Sequence, residues 1–460
     1  MKLRSLLLCF AMLAPSLWAE APDLPAFTGA EGFGRLARGG RGGDVYHVVN
    51  LNDAGPGSLR EGIRSAKGPR TIVFAVSGTI LLKSKLVLDK SALTIAGQTA
   101  PGDGITLRDF TFQIVKAKDV VVRYLRFRLG DENKAVGAKG GDDTFNTEDV
   151  DRIIIDHCSL SWAIDGTHDL RRGGNFTLQW CIISEALNES LHGKGAHAMA
   201  ASYRDLSGDV TLHHNLISTC RDRHPTLGSA QKPPRYTVDF RNNVIYNWSK
   251  GGTSNFCDHF INCINNTWRP GPMSDPAQLP IAMKGSLPDL AKGYMSGNVF
   301  EGRADLTRDN YAALDFHRWL KPVGNYAYAG KLADWKAAAP AALGANLPMT
   351  QSAAEAYELV LARAGASLHR DAVDLRVTAD VHQRRGKLIN SPSQVGGWPA
   401  LRSAPAPLDT DRDGMPDAWE TARGLDPHNP ADRNADRDAD GYTNLEEYLS
   451  SLVPPASAAK

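Results

Sequence analysis

The sequence predicts an all-β fold, a right-handed parallel β-helix, on the basis of a repeat and of its length. Between about residues 70 and 300 a short β-branched or aromatic run is followed by a turn, as in TIVFAVSGTI, IIIDHCSLSW and VTLHHNLIST. The same point of successive repeats is marked by Leu125, Cys158, Cys181, Asn215, Asn243, Asn266 and Asn298. The steps between these positions are 33, 23, 34, 28, 23 and 32 residues. Such a period with variable insertions is typical of stacked coils whose insertions become loops.

Asparagine recurs at one phase of this repeat, at Asn215, Asn243, Asn266 and Asn298. The recurrence predicts a ladder of side-chain amides at a turn that every coil repeats. A β-sandwich with irregular strands is the alternative, because its turn signals would come every 8–12 residues or so. The longer steps observed here disfavour the sandwich.

Residues 1–19 predict a secretory signal peptide. Lys2 and Arg4 precede an apolar stretch, and Ala19 closes a cleavage site. No later apolar run is long enough to cross a bilayer. A net charge of +1 with 22% charged residues provides no polybasic surface for nucleic acid or an anionic membrane. We therefore expect a secreted monomer, extracellular or periplasmic, that binds neither.

The composition changes after residue 305. We expect the β-helix to span residues 20–305 and a partly helical extension, packed on or beside the solenoid, to span residues 306–401. The helical spacing of Ala354, Leu359 and Leu361 supports the extension. The remaining segments are predicted as a Pro-rich linker (402–408), paired calcium-binding loops (409–451) and a tail (452–460).

Five cysteines remain once Cys9 leaves with the signal peptide: Cys158, Cys181, Cys220, Cys257 and Cys263. An odd number means that at least one thiol is free or pairs between chains. Cys257 and Cys263 are close enough in sequence to bridge locally. The other interpretation is that most of the five are small buried core residues, and it is the one we favour.

Two twelve-residue segments near the C-terminus have the pattern of calcium loops, with oxygen ligands at positions 1, 3, 5, 9 and 12 and glycine at position 6. The first contains Asp409, Asp411, Asp413, Gly414, Asp417 and Glu420, with the carbonyl of Met415 at position 7. The second contains Asp436, Asp438, Asp440, Gly441, Asn444 and Glu447, with the carbonyl of Tyr442. The alternative is a solvated acidic tail. The Pro-rich entry makes the pair similar to dockerin or thrombospondin-type calcium repeats, which implies a structural role.

A second group of acids surrounds the stretch IIIDHCSLSWAIDGTHDLRRGG. Asp143 precedes it, and Asp165 and Asp169 lie within it. In a solenoid the loops of successive coils lie side by side, so these acids can converge. Converging carboxylates are costly unless a proton or a cation neutralises them, and Ca²⁺ accepts carboxylate ligands. The alternative is that Asp165 and Asp169 cap turns and pair with Arg171 and Arg172.

The motif HHNLISTCRDRHPTLG places Arg223 before a His224–Pro225 pair, and the proline restricts the histidine to an extended backbone. Calcium and basic side chains opposite one another suit an acidic sugar, because they bind a uronate carboxylate and acidify the proton at C5. A nearby base can then remove that proton and expel the C4 substituent. Arginine is a weak candidate for this base unless desolvation and neighbouring cations favour its neutral form.

Several segments together resemble the pectate lyases of polysaccharide lyase family 1. These are GAEGFG, GGRGG, VYHVVNLNDAGPGSLR, AGQTAPGDGI and VVVRYLRFRLGD. The resemblance covers about residues 26–300, and weaker similarity continues through INSPSQVGGWP. It implies a pectin-lyase-like solenoid that uses Ca²⁺ and cleaves polygalacturonate or pectin by β-elimination, releasing 4,5-unsaturated oligogalacturonates.

The resemblance also assigns residues. It implies calcium ligands at Asp143, Asp165 and Asp169, a substrate-binding residue at Arg171 and the catalytic arginine at Arg223. Asp156 and His157 correspond to the family's Asp-His pair.

The chain departs from the family pattern at two basic positions. The second arginine of R-x-P-x-x-R falls on Gly228, for which Arg235 is a candidate replacement. A lysine that grips the uronate falls on Glu189, and Lys194 is the nearest substitute for substrate binding. These departures concern the choice and affinity of the substrate.

Two other functions compete with elimination. A polygalacturonase-like hydrolase on the same fold would use Asp142 and Asp143 as a water-activating pair, but hydrolysis also needs a general acid on the other side of the bond. The G-H-G and R-I-K motifs of that family are absent from the sequence. A non-catalytic polysaccharide-binding solenoid is the third function, favoured by Glu189 and Gly228.

Overall fold

The fold was analysed in a computed structural model that describes residues 24–133, 142–228, 236–256, 259–283, 292–316 and 332–454. The predicted signal peptide, Arg235 and Cys257 lie outside these ranges, as does most of the predicted tail. In the described part of the chain no helix has the length and apolar character that a membrane span requires.

Twenty-eight strands form within the described residues, most of them three to six residues long. The first ten are β1 (Asp44–Val48), β2 (Arg70–Phe74), β3 (Gly78–Leu81), β4 (Leu86–Leu88), β5 (Leu93–Ala96), β6 (Ile105–Arg108), β7 (Phe112–Val115), β8 (Lys118–Arg123), β9 (Leu125–Arg128) and β10 (Phe145–Glu148). The next nine are β11 (Asp151–Asp156), β12 (Ser159–Ser161), β13 (Gly166–Arg171), β14 (Gly174–Gln179), β15 (Ile182–Ser184), β16 (Met199–Arg204), β17 (Val210–His213), β18 (Leu216–Ser218) and β19 (Thr226–Leu227). The last nine are β20 (Thr237–Arg241), β21 (Val244–Tyr246), β22 (Thr253–Ser254), β23 (Phe260–Ile264), β24 (Thr267–Arg269), β25 (Ile281–Ala282), β26 (Lys292–Ser296), β27 (Val299–Phe300) and β28 (Leu314–Asp315).

These strands form three parallel sheets. The first sheet has ten strands in the order β1-β2-β5-β8-β11-β14-β17-β20-β23-β26. The second runs from β3 to β27 and the third from β4 to β28, each with nine strands and each taking every third strand of the chain. The chain therefore visits the first, second and third sheets in turn and then starts the next coil. The predicted right-handed parallel β-helix is confirmed. The third sheet continues to Leu314–Asp315, so the last coil ends beyond the expected boundary at residue 305.

The core is a column of apolar side chains that runs the length of the solenoid. Alternate residues of a strand point to opposite faces, so the β-branched runs direct every second side chain inward. In β11, Ile153 and Ile155 belong to this column, whereas Ile154 packs outside it. The largest fully buried aromatic residues of the column include Phe112, Phe127, Phe145, Phe176, Phe240 and Trp268.

The predicted asparagine ladder is present and runs along the turn between the first and second sheets. The side-chain nitrogen of Asn215 donates to Oδ1 of Asn243 at 3.0 Å, and the same contact joins Asn243 to Asn266 and Asn266 to Asn298 at 3.0 Å. Asn310 continues the ladder, because its Oδ1 accepts from Asn298 at 3.0 Å. The ladder satisfies buried polar groups that each coil would otherwise leave unpaired at the same turn.

A left-handed backbone occurs at the residue before the same turn position in four successive coils, that is, before Leu125, Cys158, Cys181 and Asn215. Tyr124, His157, Trp180 and His214 have φ angles of 55°, 51°, 53° and 55°. Their rings stack along the solenoid with centroid separations of 4.7, 5.8 and 4.1 Å. Repetition of one backbone conformation in register therefore brings aromatic rings far apart in sequence into one stack.

The described residues contain seven α-helices outside the three sheets. They are α1 (Leu59–Arg64), α2 (Ala304–Arg308), α3 (Leu332–Trp335), α4 (Ala353–Arg363), α5 (Ala372–Gln383), α6 (Asp417–Arg423) and α7 (Asn444–Ser451). α4 begins at a capping box formed by Ser352 and Glu355. Val360 of α4 and Val377 of α5 pack with Trp162 on the outer face of the second sheet. The extension therefore covers that sheet.

The C-terminal segment packs on the outer face of the first coils. Met415, Leu445, Tyr448 and Leu449 form an apolar cluster with Ala96 of β5. The predicted linker begins with Arg402, whose guanidinium lies 3.0 Å from the carboxylate of Asp103.

The four described cysteines, Cys158, Cys181, Cys220 and Cys263, are buried and form no disulfide with one another. Cys158 and Cys181 continue the ladder positions: the backbone N–H of Cys158 donates to Sγ of Cys181, and that of Cys181 donates to Oδ1 of Asn215. For these four, the buried core interpretation is confirmed.

Candidate active site

Asp169 lies in a polar row on the outer face of the third sheet. In β13 the neighbouring residues His168 and Leu170 contact the core, so Asp169 faces away from it. The parallel register aligns Asp169 with Asn146 of β10 and Ser202 of β16. Short polar side chains flank Asp169 on both neighbouring strands, and Asp169 itself is 7% exposed.

Asp143 and Asp169 converge across Gly166. A Cβ atom at Gly166 would lie 2.9 Å from Oδ1 of Asp143 and 2.7 Å from Oδ1 of Asp169. The backbone N–H of Gly166 donates to Oδ1 of Asp143, and Asn146 donates to its Oδ2, both at 2.9 Å. Arg204 donates to Oδ2 of Asp169 at 2.8 Å, whereas Oδ1 of Asp169 is buried without a hydrogen-bond partner among the described residues.

Asp165 is adjacent but does not face the same point. Its Oδ1 lies 2.9 Å from Nε2 of His197 and its Oδ2 lies 3.7 Å from Nε2 of His192. The two imidazole rings stack at 3.8 Å. Burial would raise the pKa of Asp165, but the hydrogen bond from His197 and the charge of Arg223 lower it below its ordinary value.

The pKa values of the other two acids, Asp143 and Asp169, are raised, first by burial and then by repulsion among the acids. Burial, followed by the negative charges of Asp169 and Asp165, raises the pKa of Asp143 well above its ordinary value. Burial raises the pKa of Asp169 to about 6, although Arg204 and Arg223 oppose the shift. A pair of carboxylates that resists ionisation in this way is stabilised by a bound cation.

The residues fit a hard divalent cation. Asp143 and Asp169 offer carboxylate oxygens, the ligands that Ca²⁺ prefers, and Oδ1 of Asp169 has no described partner. Asp165 lies beside them but groups with His192 and His197, so the structure does not bring all three predicted acids to one point. The remaining coordination positions can be taken by water or by substrate oxygens.

The guanidinium of Arg223 is free on the same side of the solenoid. It makes no hydrogen bond or ion pair with any residue that the structure describes, yet its charge lowers the pKa values of Asp165 and Asp169. Asp222 does not pair with this guanidinium: its Oδ1 accepts from the backbone N–H of Arg223 at 2.7 Å. The carbonyl of Arg223 accepts from Ala201 of β16 at 2.9 Å, which fixes the backbone.

Two further arginines form a row beside the acids. Arg171 of β13 is aligned with Arg204 of β16. Nε of Arg171 donates to Asp205 at 3.2 Å, and 48% of the Arg171 side chain is exposed. Sequence reasoning did not identify Arg204. A signal for it exists only in the strand register, because 35 residues separate Arg204 from Asp169.

Lys194 lies near the acids of the candidate site, whereas Glu189 contacts the helical extension. Lys194 is exposed and its backbone N–H donates to Nδ1 of His192 at 3.0 Å, which places it in the loop above Asp165. Its charge contributes to lowering the pKa of His192, after burial and the charge of His197. Glu189 is also exposed, but its backbone N–H donates to Asn390 of the extension at 3.0 Å.

Gly228 has a backbone conformation that disfavours any side chain. Its φ angle is 122°, a value that suits glycine, and its N–H donates to the carbonyl of Tyr203 at 3.0 Å. A second arginine is therefore excluded at this position by backbone geometry as well as by sequence. Arg235 lies outside the described residues.

Asp156 belongs to a different site from the acid pair. It lies at the end of β11 in the first sheet, completely buried, and its carboxylate contacts Arg123 at 2.7 Å, His157 at 2.8 Å and Gln179 at 2.8 Å. Its role is to neutralise a buried arginine beneath the N-terminal segment.

The first C-terminal loop brings most of its predicted ligands together. Asp409, Asp411 and Asp413 each place one oxygen within 4.8 Å of the others, and a second such group joins Asp413 to Glu420 and Asp432. Asp432 was not predicted.

Two residues of the first loop have other contacts. Both carboxylate oxygens of Asp417 accept from Thr410, at 2.7 and 2.6 Å, so this predicted ligand is turned to the loop backbone. The side chain of Met415 is buried in the apolar cluster.

The second loop is similar but more exposed. Asp436, Asp438 and Asp440 form a group within the same distance, and Oε1 of Glu447 is buried without a described partner. The side-chain nitrogen of Asn444 donates to the carbonyl of Asp432 at 2.8 Å, and the N–H of Tyr442 donates to Asp440 at 2.8 Å.

The fold and this arrangement of acids and arginines define the class of protein as a parallel β-helix enzyme with an acidic and basic site on one outer face. No protein-family model matches the sequence. The chain is 35% identical over 438 residues to probable pectate lyase C of Aspergillus terreus, which covers 94% of each chain. It is 35% identical over 448 residues to probable pectate lyase C of Emericella nidulans, covering 95% of this chain and 94% of the other.

The chain therefore belongs to the pectate lyase family and is a polysaccharide lyase. A pectate trisaccharide-lyase of Thermotoga sp. is 28% identical over 199 residues, covering 41% of this chain and 49% of the other. Among solved structures, a pectate lyase from Bacillus sp. N165 in complex with trigalacturonate superposes with a TM-score of 0.49 and 15% identity, covering 73% of this chain and 98% of the other.

Proposed function

We propose that the protein is a secreted, calcium-dependent pectate lyase that cleaves polygalacturonate by β-elimination and releases 4,5-unsaturated oligogalacturonates. The main observation that supports this is geometric: Oδ1 of Asp143 and Oδ1 of Asp169 converge, 2.9 and 2.7 Å from one point at Gly166. The guanidinium of Arg223 has no hydrogen-bond or ion-pair partner among the described residues, and its charge lowers the pKa values of Asp165 and Asp169. An unpaired arginine and a set of carboxylates that favour a cation are the two parts that this reaction needs.

Asp143, Asp165 and Asp169 would hold the calcium ion. When bound there, calcium supplies positive charge that binds a uronate carboxylate and makes the neighbouring C5–H more acidic. Gly166 supports this role because the absence of a side chain leaves room between Asp143 and Asp169.

Arg223 acts as the base in this proposal. Its side chain removes the proton from C5, the electron pair forms the C4–C5 double bond, and the C4–O bond breaks with release of the leaving oligosaccharide. The backbone N–H of Arg223 donates to Asp222 and its carbonyl accepts from Ala201, so the backbone that carries the guanidinium is held on both sides. A base must be neutral before it accepts a proton. Exclusion of water by the bound substrate and the positive charge of nearby cations both favour the neutral guanidine at Arg223.

Arg171 and Lys194 bind uronate carboxylates on either side of the cleaved bond, and Arg204 is added to them. Arg171 and Arg204 lie in one row of the third sheet, so each can present a guanidinium to the acidic groups of a polymer laid across the strands. Arg204 also holds Asp169 in place.

Hydrolysis is disfavoured by the position of Asp142. Its carboxylate lies 3.6 Å from Nζ of Lys85, so the adjacent acids Asp142 and Asp143 have different partners and do not form a water-activating pair.

Ultraviolet absorbance during incubation with polygalacturonate tests the proposal. Elimination creates a conjugated unsaturated uronate and absorbance rises, whereas hydrolysis yields reducing ends without absorbance and a binding module yields neither. The rise should disappear in excess chelator and return when calcium is restored. Chain cleavage without new absorbance would contradict elimination.

The C-terminal segment contributes structural calcium sites in the same proposal. The first loop would bind one ion through Asp409, Asp411, Asp413, Glu420 and the carbonyl of Met415. The second would bind another through Asp436, Asp438, Asp440, Glu447 and the carbonyl of Tyr442, with Asn444 at position 9. Gly414 and Gly441 have φ angles of 97° and 96°, the left-handed turn that such loops need at position 6.

A further inference from the structure

A carboxylate from outside the twelve-residue pattern enters the first C-terminal loop. Asp432 lies twelve residues after Glu420, in the turn before the second loop, and offers an oxygen within 4.8 Å of those of Asp413 and Glu420. Asp413 also belongs to the group with Asp409 and Asp411, so five carboxylates surround one small volume.

Five oxygens of this group are buried and have no hydrogen-bond partner among the described residues. Asp413 and Glu420 are 0% exposed. Oδ2 of Asp411, Oδ2 of Asp413, both oxygens of Glu420 and Oδ1 of Asp432 have no hydrogen-bond partner among the described residues. No Lys or Arg in the described chain forms an ion pair with these four acids. Buried carboxylates without a compensating charge resist ionisation, so a group of them favours a bound cation.

Asp432 offers an oxygen at the group where the loop pattern expects one from Asp417. Both carboxylate oxygens of Asp417 accept hydrogen bonds from Thr410, and Asp417 belongs to neither of the two acid groups of this loop. Ca²⁺ coordinates about six to eight oxygens. Enough carboxylate oxygens are provided by Asp409, Asp411, Asp413, Glu420 and Asp432.

The same residues attach the segment to the solenoid. His47 of β1 lies 3.6 Å from the carboxylate of Asp409 and 3.1 Å from the carbonyl of Arg412. On the other side of the site, Arg433 and Asn434, which follow Asp432 directly, donate to the carbonyl of Gly43 at 3.4 and 3.2 Å.

The turn at Asp432 is also tied to the second loop. Its carbonyl accepts from Asn444 at the start of α7, and Glu446 of the same helix contacts Arg41 at 2.8 Å. An ion shared by the first loop and Asp432 would therefore hold three contacts with the first coils in one arrangement.

We propose that Asp432 is a calcium ligand and that the ion it shares with the first loop fastens residues 409–451 to the outer face of the first coils. The proposal rests on calcium binding by the first loop, and not on the lyase reaction. The second loop lacks an acid supplied from outside it among the described residues, so its ion acts within the loop.

The test compares the full-length protein with Asp432→Asn and with Asp426→Asn as a matched control. Asp426 is exposed in the same connecting segment, where its carboxylate accepts only from the backbone of His428. Calcium titration by calorimetry, thermal unfolding and limited proteolysis are run in the absence of polysaccharide. We expect Asp432→Asn to weaken one calcium site at least about tenfold, because one charged ligand is lost.

We also expect cleavage between the solenoid and the C-terminal segment at calcium concentrations that protect the wild type and Asp426→Asn. Should Asp432→Asn fail to fold, the wild type alone remains informative, since chelator should expose the same cleavage site. The proposal is overturned if Asp432→Asn keeps wild-type calcium binding, or if neither chelator nor this variant changes protection of the segment. Absorbance with polygalacturonate at saturating calcium is measured separately, and its outcome bears on the lyase proposal alone.

Discussion

Oδ1 of Asp143 and Oδ1 of Asp169 point at the same position, 2.9 and 2.7 Å from where a Cβ atom of Gly166 would lie. Gly166→Ala should therefore push the two carboxylates apart while leaving the solenoid folded, because the atoms it meets are ends of side chains. We expect a higher calcium requirement and a loss of turnover of about tenfold or more, by displacement of catalytic geometry. Gly68, which has no atom within 4 Å of its own Cβ position, provides the control Gly68→Ala. If Gly166→Ala and Gly68→Ala had the same turnover and the same calcium requirement, the space at Gly166 would not be needed for calcium binding or catalysis.

Asp169→Asn removes a charge from the proposed calcium site. The concentration of calcium that supports half of the maximal rate should rise at least about tenfold, since ligand charge sets affinity in such sites. Asp149→Asn is the control, because Asp149 pairs with Arg172 in a turn of the same solenoid at 2.7 Å. The measurement is the initial rate against free calcium. Full activity of the wild type in excess chelator would argue against the site.

Arg223→Ala should lower turnover by about 10² or more, the usual contribution of a general base. Arg223→Lys keeps the charge but not the planar fork or the reach, so it should bind polygalacturonate almost normally and turn over poorly. Arg172→Lys, at an arginine already paired with Asp149, should be nearly neutral. Near wild-type turnover of Arg223→Lys at its optimal pH would remove Arg223 as the base and direct attention to Lys194.

A chain that ends at Pro405 should keep its turnover and lose two bound calcium ions. The C-terminal segment contacts the outer face of the first coils, at Val45 and Ala96, whereas the acid pair lies on the third sheet. Its removal exposes this apolar surface, so the thermal midpoint should fall by several degrees. Turnover and unfolding are measured on the same preparation. A folded truncated chain without activity would show that the segment takes part in the chemistry.

Asp156→Asn should destabilise the fold by about 3–5 kcal/mol at neutral pH, because it leaves the buried guanidinium of Arg123 unpaired. Burial alone would raise the pKa of Asp156, but the charges of His157 and Arg123 and hydrogen bonds from His157 and Gln179 hold it well below its ordinary value. The carboxylate therefore contributes stability above the unfolded pKa of about 4, and this contribution is lost as the pH falls towards the native pKa.

Urea unfolding across this pH range measures the difference between wild type and Asp156→Asn. It should be largest at neutral pH and shrink steadily below about pH 4. Asp151→Asn is the surface control, since Asp151 pairs with the partly exposed Arg152 at 3.3 Å. A constant difference across the range would mean that ionisation of Asp156 is not linked to folding.

The sequence by itself determined the solenoid. Every coil must present the same apolar face and the same turn to its neighbours. The sequence therefore repeats β-branched runs, and asparagines recur at one phase of that repeat. The structure extends the predicted ladder to Asn310 and begins it at Cys158 and Cys181. The pattern that predicts the C-terminal calcium loops could likewise be read from the sequence, because its acids and its glycine lie at fixed short spacings.

The tertiary structure decided which side chains share each site. Asp169 and Arg204 are 35 residues apart and meet only because their strands are adjacent in the third sheet. Glu189 and Lys194 are close in sequence, yet they have different partners. The backbone of Glu189 bonds to Asn390 of the extension, whereas that of Lys194 bonds to His192 in the loop next to Asp165. Asp417 is held by Thr410 away from the acids of the first C-terminal loop, whereas Asp432 lies beside Asp413 and Glu420. The spacing of the loop pattern predicts neither contact. Insertions of variable length separate the coils, so spacing in the chain does not determine spacing between coils, and only the stacking does.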